Sequence, residues 1–162
     1  MPDNWDFAFG GPDFMPERAA GYNNVKIFFD LLTEYNPTTA SFNSAVLASQ
    51  ENTIISIYQA SIFRGGSIVI TGAATCENDN ITLTLDGEEI FSDTLKNMFD
   101  TWQVNDGERS VFLRCYDLTN FIFTVAIRSG LDINSTMVLT YEESYGRNPN
   151  INCLVLYSPI PV

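Results

Sequence analysis

Histidine is absent from this sequence of 162 residues. Its absence removes the commonest general base, the commonest metal ligand and the usual physiological proton switch. Ser-His-Asp, Cys-His and HExxH sites therefore cannot form within the chain. Phosphate-binding loops are missing as well, because Gly10-Gly11 and Gly65-Gly66 are doublets without Rossmann spacing or a P-loop lysine. The sequence predicts no catalytic residues, no cofactor and no enzymatic activity.

Basic residues are scarce. Eight Lys and Arg side chains stand against twenty Asp and Glu, which gives a formal net charge of −12. The eight are scattered singly along the sequence: Arg18, Lys26, Arg64, Lys96, Arg109, Arg114, Arg128 and Arg147. Because no Lys/Arg stripe exists to neutralise phosphates, we expect no direct nucleic-acid binding. An anionic membrane surface should repel the chain for the same reason.

Long apolar runs and an export signal are also missing. No stretch approaches the roughly 18 apolar residues that span a bilayer. The first residues, Met-Pro-Asp-Asn-Trp-Asp, lack the basic and apolar regions of a signal peptide. Three widely spaced cysteines, Cys76, Cys115 and Cys153, resemble neither a zinc site nor a disulfide framework. We therefore expect synthesis in a cytoplasm, with the cysteines reduced and buried as small apolar groups.

Aromatic residues are abundant in an irregular N-terminal arm, residues 1–22. Prolines and glycines break any regular element there. Trp5, Phe7 and Phe9 recur at every second position, which suits an extended segment lying with one face on an apolar surface. Together with Phe14, they are the predicted partner-binding residues. Two alternatives stay open: the arm packs on its own domain, or it reaches a neighbouring subunit.

Residues 23–162 are predicted to form one β-sandwich domain. A short helix is possible over residues 24–35, with Asn24 as N-cap and Asn36-Pro37 ending it. A strand over Val25–Phe29 is the competing interpretation of the same apolar spacing.

Beyond Thr38 the sequence alternates between apolar runs and turn residues such as Gly65-Gly66, which is predicted to separate two strands. Phe121 begins an apolar alternation that is predicted to face the core. Asp86-Gly87 predicts a tight hairpin, since both residues tolerate positive φ, and Glu88–Phe91 should return along it. Such spacing, without helical repeats, is typical of an antiparallel β-sandwich or jelly roll. The predicted strands are Thr53–Tyr58, Ser67–Thr71, Ile81–Leu85, Ser110–Tyr116, Asn120–Arg128, Met137–Tyr141 and Ile151–Tyr157.

Carboxylates are the remaining candidates for chemistry, because glycosidases need only two. Neighbouring residues on a strand point to opposite faces, so we interpret the pairs as solvated strand ends. The pairs are Glu88 with Glu89, Glu142 with Glu143, and Asp79 with Asp86. Oxygen ligands at Glu77, Asp79 and Asn80 suit Ca²⁺, but such loops are also ordinary turns, which is the favoured interpretation. We predict no metal site.

Two stretches, Ile57–Ile70 and Asp79–Ile90, resemble small β-sandwich virion proteins of tailed bacteriophages. These proteins often run strand, glycine-rich step, strand, and then a strand ending in Asp-Gly-Glu, as at Asp86-Gly87-Glu88 here. The likeness covers roughly residues 53–141 and is architectural. It implies a capsid-associated or fibre-like structural role, usually in an oligomer.

The sequence thus favours a non-enzymatic virion protein, such as a minor capsid, decoration (cement) or head-fibre component. Its expected partners are protein subunits of the same particle, in a homo-oligomer, bound through the arm and exposed sheet edges. A carbohydrate- or receptor-binding sandwich is the alternative. In that case exposed aromatics such as Tyr58, Trp102 or Tyr145 would stack on sugar rings.

Overall fold

The structure, a computed structural model, describes residues 37–101 and 109–161. Its strands belong to one compact unit, residues 37–160. The predicted arm with Trp5, Phe7, Phe9 and Phe14 lies outside the described residues. So do the predicted helix over residues 24–35 and Trp102.

Two antiparallel sheets make up the described part of the chain, which confirms the predicted mostly-β class and is consistent with a β-sandwich. Sheet A has the strand order β1-β10-β3-β7-β6, and β8 also pairs with β3. Its strands are β1 (Thr38–Ala45), β3 (Ser61–Thr71), β6 (Val111–Asp117), β7 (Ile122–Ile127), β8 (Leu131–Ile133) and β10 (Asn150–Pro159).

Sheet B has the order β2-β9-β4-β5. Its strands are β2 (Glu51–Ile57), β4 (Asn80–Leu85), β5 (Glu88–Thr94) and β9 (Met137–Glu142). A 3-10 turn, Ala74–Asn78, precedes β4, and one short helix, α1 (Leu95–Asp100), follows β5. Thr94 caps α1 by accepting a hydrogen bond from the Asn97 backbone N–H, while Leu95 and Met98 are buried beneath the helix.

One buried cluster draws side chains from both sheets, so the sheets pack face to face. The alternation expected in β4 is present, with Ile81 and Leu83 buried and Thr82 half-buried. Tyr141, Phe63 and Phe123 are the largest side chains in this core.

The predicted Asp86-Gly87 hairpin is confirmed: these residues have φ of 53° and 85°, and β5 returns antiparallel to β4. Two local predictions are wrong, one of a turn and one of a strand residue. Gly65-Gly66 does not separate strands, because β3 continues through it. Gly65 (φ 123°) lies at a register shift opposite Leu156/Tyr157 that lets the strand continue. Phe121 is not a core-facing strand residue but a turn residue with φ of 57° and 40% exposure.

Candidate functional site

Asp79 and Arg147 form a buried ion pair between the start of β4 and the β9–β10 loop. Arg147 Nη2 lies 2.5 Å from Asp79 Oδ1 and 2.6 Å from Oδ2. The Tyr141 hydroxyl donates to Asp79 Oδ2 at 2.5 Å. Burial raises the pKa of Asp79, and the Tyr141 hydrogen bond and the Arg147 charge oppose that rise. The short hydrogen bonds to the Asp79 carboxylate thus come from the side chains of Tyr141 and Arg147.

Glu143, which follows β9, is buried beside the same guanidinium and accepts from Arg147 Nε at 2.8 Å. Backbone N–H groups of Ser49, Tyr145, Gly146 and Arg147 donate to it at 2.8–3.1 Å. Burial acts to raise the pKa of Glu143, but these hydrogen bonds outweigh it and lower the pKa to about 2. The carboxylate ties the turn before β2 to the β9–β10 loop.

The interpretation of the carboxylates as solvated strand ends is therefore wrong for Asp79 and Glu143. Both side chains are buried and hold loops together, whereas Glu142 is exposed. Arg147 lies only four residues after Glu143 in the sequence, but 68 residues separate it from Asp79, so the fold alone brings these two together. Asp79 and Asp86 do not form a pair. They flank opposite ends of β4, about 23 Å apart at roughly 3.3 Å per residue.

Asp86 instead closes the hairpin against the loop before β9. Its carboxylate accepts backbone N–H groups from Asn134, Ser135 and Thr136 at 2.7–3.1 Å. These hydrogen bonds lower its pKa well below the usual range.

The candidate calcium ligands do not converge. The Tyr116 hydroxyl donates to Glu77, Asp79 pairs with Arg147, and the Asn80 amide donates to Thr82 and Ser92. Within the described ranges, no group of three or more Cys, Asp or Glu side chains is arranged to hold a metal ion. Residues Ala74–Asn78 form a 3-10 turn, which agrees with the interpretation of this loop as a turn.

The three cysteines are free thiols. Cys76 and Cys153 are buried as predicted, and Cys115 is only partly buried. Burial raises the pKa of Cys153 to about 12, which keeps this thiol protonated and unreactive near neutral pH.

Among the described residues, strand β1 is a terminal strand of sheet A that carries neither a charge nor a bulge. It pairs with β10 in unbroken register from Thr38 to Ala45, and no other described strand pairs with it. It carries no charged residue. The other three terminal strands, β2, β5 and β6, all contain charged residues and register shifts in their pairing. Charges and bulges are the usual protection against strand addition, and β1 lacks both.

The outer face of sheet A continues from this edge as a row of small and apolar side chains. Strand register places Ser41, Leu154, Ser67, Ala126 and Phe112 side by side across five strands. Paired residues in an antiparallel sheet share a face, so the row spans about 19 Å at a strand spacing of roughly 4.8 Å. Leu154 is 53% exposed. The row therefore presents apolar surface beside a free backbone edge.

Beyond Leu154 the row enters a groove of about 550 Å³, the arginine groove, bordered by Arg64, Arg114 and Arg128. Arg64 Nε donates to the buried Ser158 hydroxyl at 3.0 Å. The Arg114 guanidinium lies 5.5 Å from the centroid of the Phe112 ring, a cation–π contact. In the part of the chain that the structure describes, none of the three forms an ion pair.

The basic residues are thus not scattered in space as they are in sequence. Three of eight border one groove. The sequence did contain a partial signal for this cluster. Phe112 and Arg114 are both outward positions of β6, and Arg128, just past the end of β7, follows Ala126 as the next outward position. Their convergence, however, depended on the strand order, which the sequence did not show.

No helix in residues 37–101 and 109–161 is long and apolar enough to cross a membrane.

No protein-family model matches the chain, and no curated protein matches its sequence. Comparison with solved structures gives a match to the VP2 subviral particle of infectious bursal disease virus, at 12% identity and a TM-score of 0.23. The match covers 78% of this chain and 42% of the viral chain, so this chain spans less than half of that protein's length. A TM-score this low supports no conclusion about function.

Proposed function

We propose that this protein is a structural component of a virion, such as a minor capsid, decoration or head-fibre protein, that joins neighbouring subunits without catalysing a reaction. The unguarded edge of β1 is the observation that supports it. A free edge without charge or bulge offers backbone donors and acceptors to an added strand. The resemblance of Ile57–Ile70 and Asp79–Ile90 to tailed-phage virion proteins agrees with this role.

Leu154 and Leu156 strengthen the proposal, because they lie on β10 directly beside β1. Register places them opposite Ser41 and Thr39, and they are 53% and 38% exposed. A strand added to β1 would bring its own side chains over this apolar surface. Backbone pairing would then supply affinity, and the side chains would supply specificity.

The proposal is tested by placing a lysine on the edge, in the variant Thr39→Lys. Thr39 is exposed, so the fold should tolerate lysine, while an added strand would have to bury or displace its charge. We expect self-association to weaken at least tenfold, about 1.4 kcal/mol, by light scattering over a concentration series. In the source particle, mass spectrometry should find the variant depleted relative to the wild-type chain.

The matched control is Thr53→Lys, the same change at an exposed threonine of another terminal strand, β2, where the pairing already contains a register shift. This variant should associate like the wild-type chain. Equal association of Thr39→Lys and the wild type, with both at normal levels in the particle, would contradict the proposal.

The alternative, a carbohydrate- or receptor-binding module, is favoured by two exposed tyrosines. Tyr58 is 74% exposed and Tyr145 is 55% exposed, with the Arg147 guanidinium 5.1 Å from the Tyr145 ring centroid. Exposed rings of this type can stack on sugars. A glycan array with the wild-type protein and Tyr58→Ala discriminates the two, since binding lost in the variant would favour the alternative.

A further inference from the structure

The arginine groove concentrates positive charge in a strongly acidic chain. Arg64, Arg114 and Arg128 come from three adjacent strands or their ends, yet border the same groove on the outer face of sheet A. Within the described residues, none of the three has a carboxylate within ion-pairing distance, although the chain carries twenty acidic residues. Three like charges around one groove repel each other, and an anion bound between them would relieve this repulsion.

The groove is also shaped for more than a small ion. Its volume of about 550 Å³ lies in the range of ligand sites, roughly 300–1,000 Å³. The floor is formed by small side chains, Ser67 and Ala126, and the Phe112 ring borders it. Guanidinium groups bind carboxylates in a fork geometry. The surface therefore suits a ligand that combines carboxylates with apolar groups.

Such a ligand exists in the sequence itself. The arm, residues 1–22, contains four acidic side chains, Asp3, Asp6, Asp13 and Glu17, and one basic side chain, Arg18, a formal balance of −3. Trp5, Phe7 and Phe9 alternate with Asp6 and Ala8, and Asp3 lies two residues before Trp5. If extended, the segment from Asp3 to Phe9 would reach about 20 Å, which matches the roughly 19 Å row that leads from the edge of β1 to Phe112.

We propose that the arginine groove of one copy binds residues 3–9 of the arm of a second copy. In an extended arm, Asp3, Trp5, Phe7 and Phe9 share one face. Asp3 therefore pairs with the arginines and the three aromatic rings cover the apolar row, while Asp6, on the opposite face, adds negative charge near the groove. This inference rests on the proposed function, for which it names the partner segment and its site. In a particle built of many copies, each groove has one arm to receive.

A charge exchange on the full chain tests this directly. The groove variant is Arg64→Glu/Arg114→Glu/Arg128→Glu, and the arm variant is Asp3→Lys/Asp6→Lys. Each variant alone places like charges on arm and groove, so self-association should weaken at least tenfold. Mixed in equal amounts, the two variants should associate again, because each groove meets an arm of opposite charge. Wild-type association should also weaken with added salt.

Single substitutions provide the matched control. Arg128→Glu should weaken association, whereas Lys96→Glu, the same change of net charge on exposed α1, should not. Thermal melting verifies that every variant is folded.

Three results would overturn the proposal: a groove variant that associates like the wild type, two variants that fail to complement each other, or a wild-type chain that stays monomeric at millimolar concentration. A groove variant that keeps wild-type association but melts at a lower temperature would also overturn it, because the arginines would then act within one chain and not between two. If the groove and arm variants contradict this proposal but Thr39→Lys still weakens self-association, the proposed structural role is retained, with β1 as its contact. Failure of both removes the proposed function.

Discussion

At the scale of single residues, Arg147 is the best-supported structural side chain. Its side chain is 19% exposed, and its guanidinium connects two fully buried carboxylates, Asp79 and Glu143. Buried charges are tolerated only when they are paired and hydrogen-bonded, and here each carboxylate depends on this one cation.

Replacing Arg147 with methionine should therefore be strongly destabilising. The change keeps much of the side-chain volume but leaves Asp79 and Glu143 buried without their cation. We expect the free energy of unfolding to fall by about 3–5 kcal/mol, measured by urea denaturation. Arg128→Met, the same change at an exposed arginine, should alter it by less than about 0.5 kcal/mol. Similar losses in the two variants would contradict this role for Arg147.

At the scale of elements, β3 is the central strand of sheet A and pairs with β10, β7 and β8. The strand continues through Gly65-Gly66 because Gly65 can adopt a positive φ and Gly66, which has no side chain, lets β10 approach closely. A Cβ at Gly66 would lie 2.7 Å from Val155 Cγ1 and 3.0 Å from the Leu154 carbonyl oxygen. The doublet predicted a turn because glycine often marks one, but here it permits close strand packing.

Gly66→Ala should consequently disturb the centre of sheet A. Val155 is buried and has little room to move, so we expect a loss of about 1–3 kcal/mol in the free energy of unfolding. Ser67→Ala, on the outward face of the same strand, serves as control and should change stability by less than about 0.5 kcal/mol. Chemical denaturation of both variants measures the difference. A neutral Gly66→Ala would mean that β3 and β10 can separate at no cost.

Three other elements, β1, β8 and α1, were not predicted from the sequence because they are short or largely exposed. Strand β1 carries only Ala40 and Phe42 on its inward face, and β8 has three residues, so neither has a clear apolar alternation. Helix α1 has six residues, too few to show a helical period. The sequence predicted the strand-rich class and most strand positions, because alternation over five or more residues is a local signal.

At the scale of the whole molecule, stability at acidic pH depends on carboxylates whose pKa is lower in the folded protein than in the unfolded chain. The pKa of Glu143 falls from its ordinary 4.5 to about 2. A lowered folded-state pKa contributes stability above the unfolded value, and this contribution disappears as the pH falls through the folded value. Glu143 should therefore stabilise the protein above pH 4.5 and progressively less towards pH 2.

Glu143→Gln should flatten the dependence of the unfolding free energy on pH between 4.5 and about 2 and should lower stability at pH 7. Asp79, whose pKa burial raises, acts in the opposite direction but is common to both proteins. Glu142→Gln, at the exposed neighbour, should leave the slope unchanged. Urea titrations across this range measure the slopes. Equal slopes for Glu143→Gln and the wild type would show that the carboxylate is not held at low pKa.

The sequence by itself determined the β class, most strand positions, the Asp86-Gly87 hairpin and the absence of histidine chemistry, because each depends on residues that are neighbours along the chain. Only the tertiary structure decided which distant charges meet. It brought Arg147 to Asp79, 68 residues away in sequence, and it gathered Arg64, Arg114 and Arg128 around one groove. Strand order and register set these distances, and a sequence that alternates in every strand is compatible with many orders.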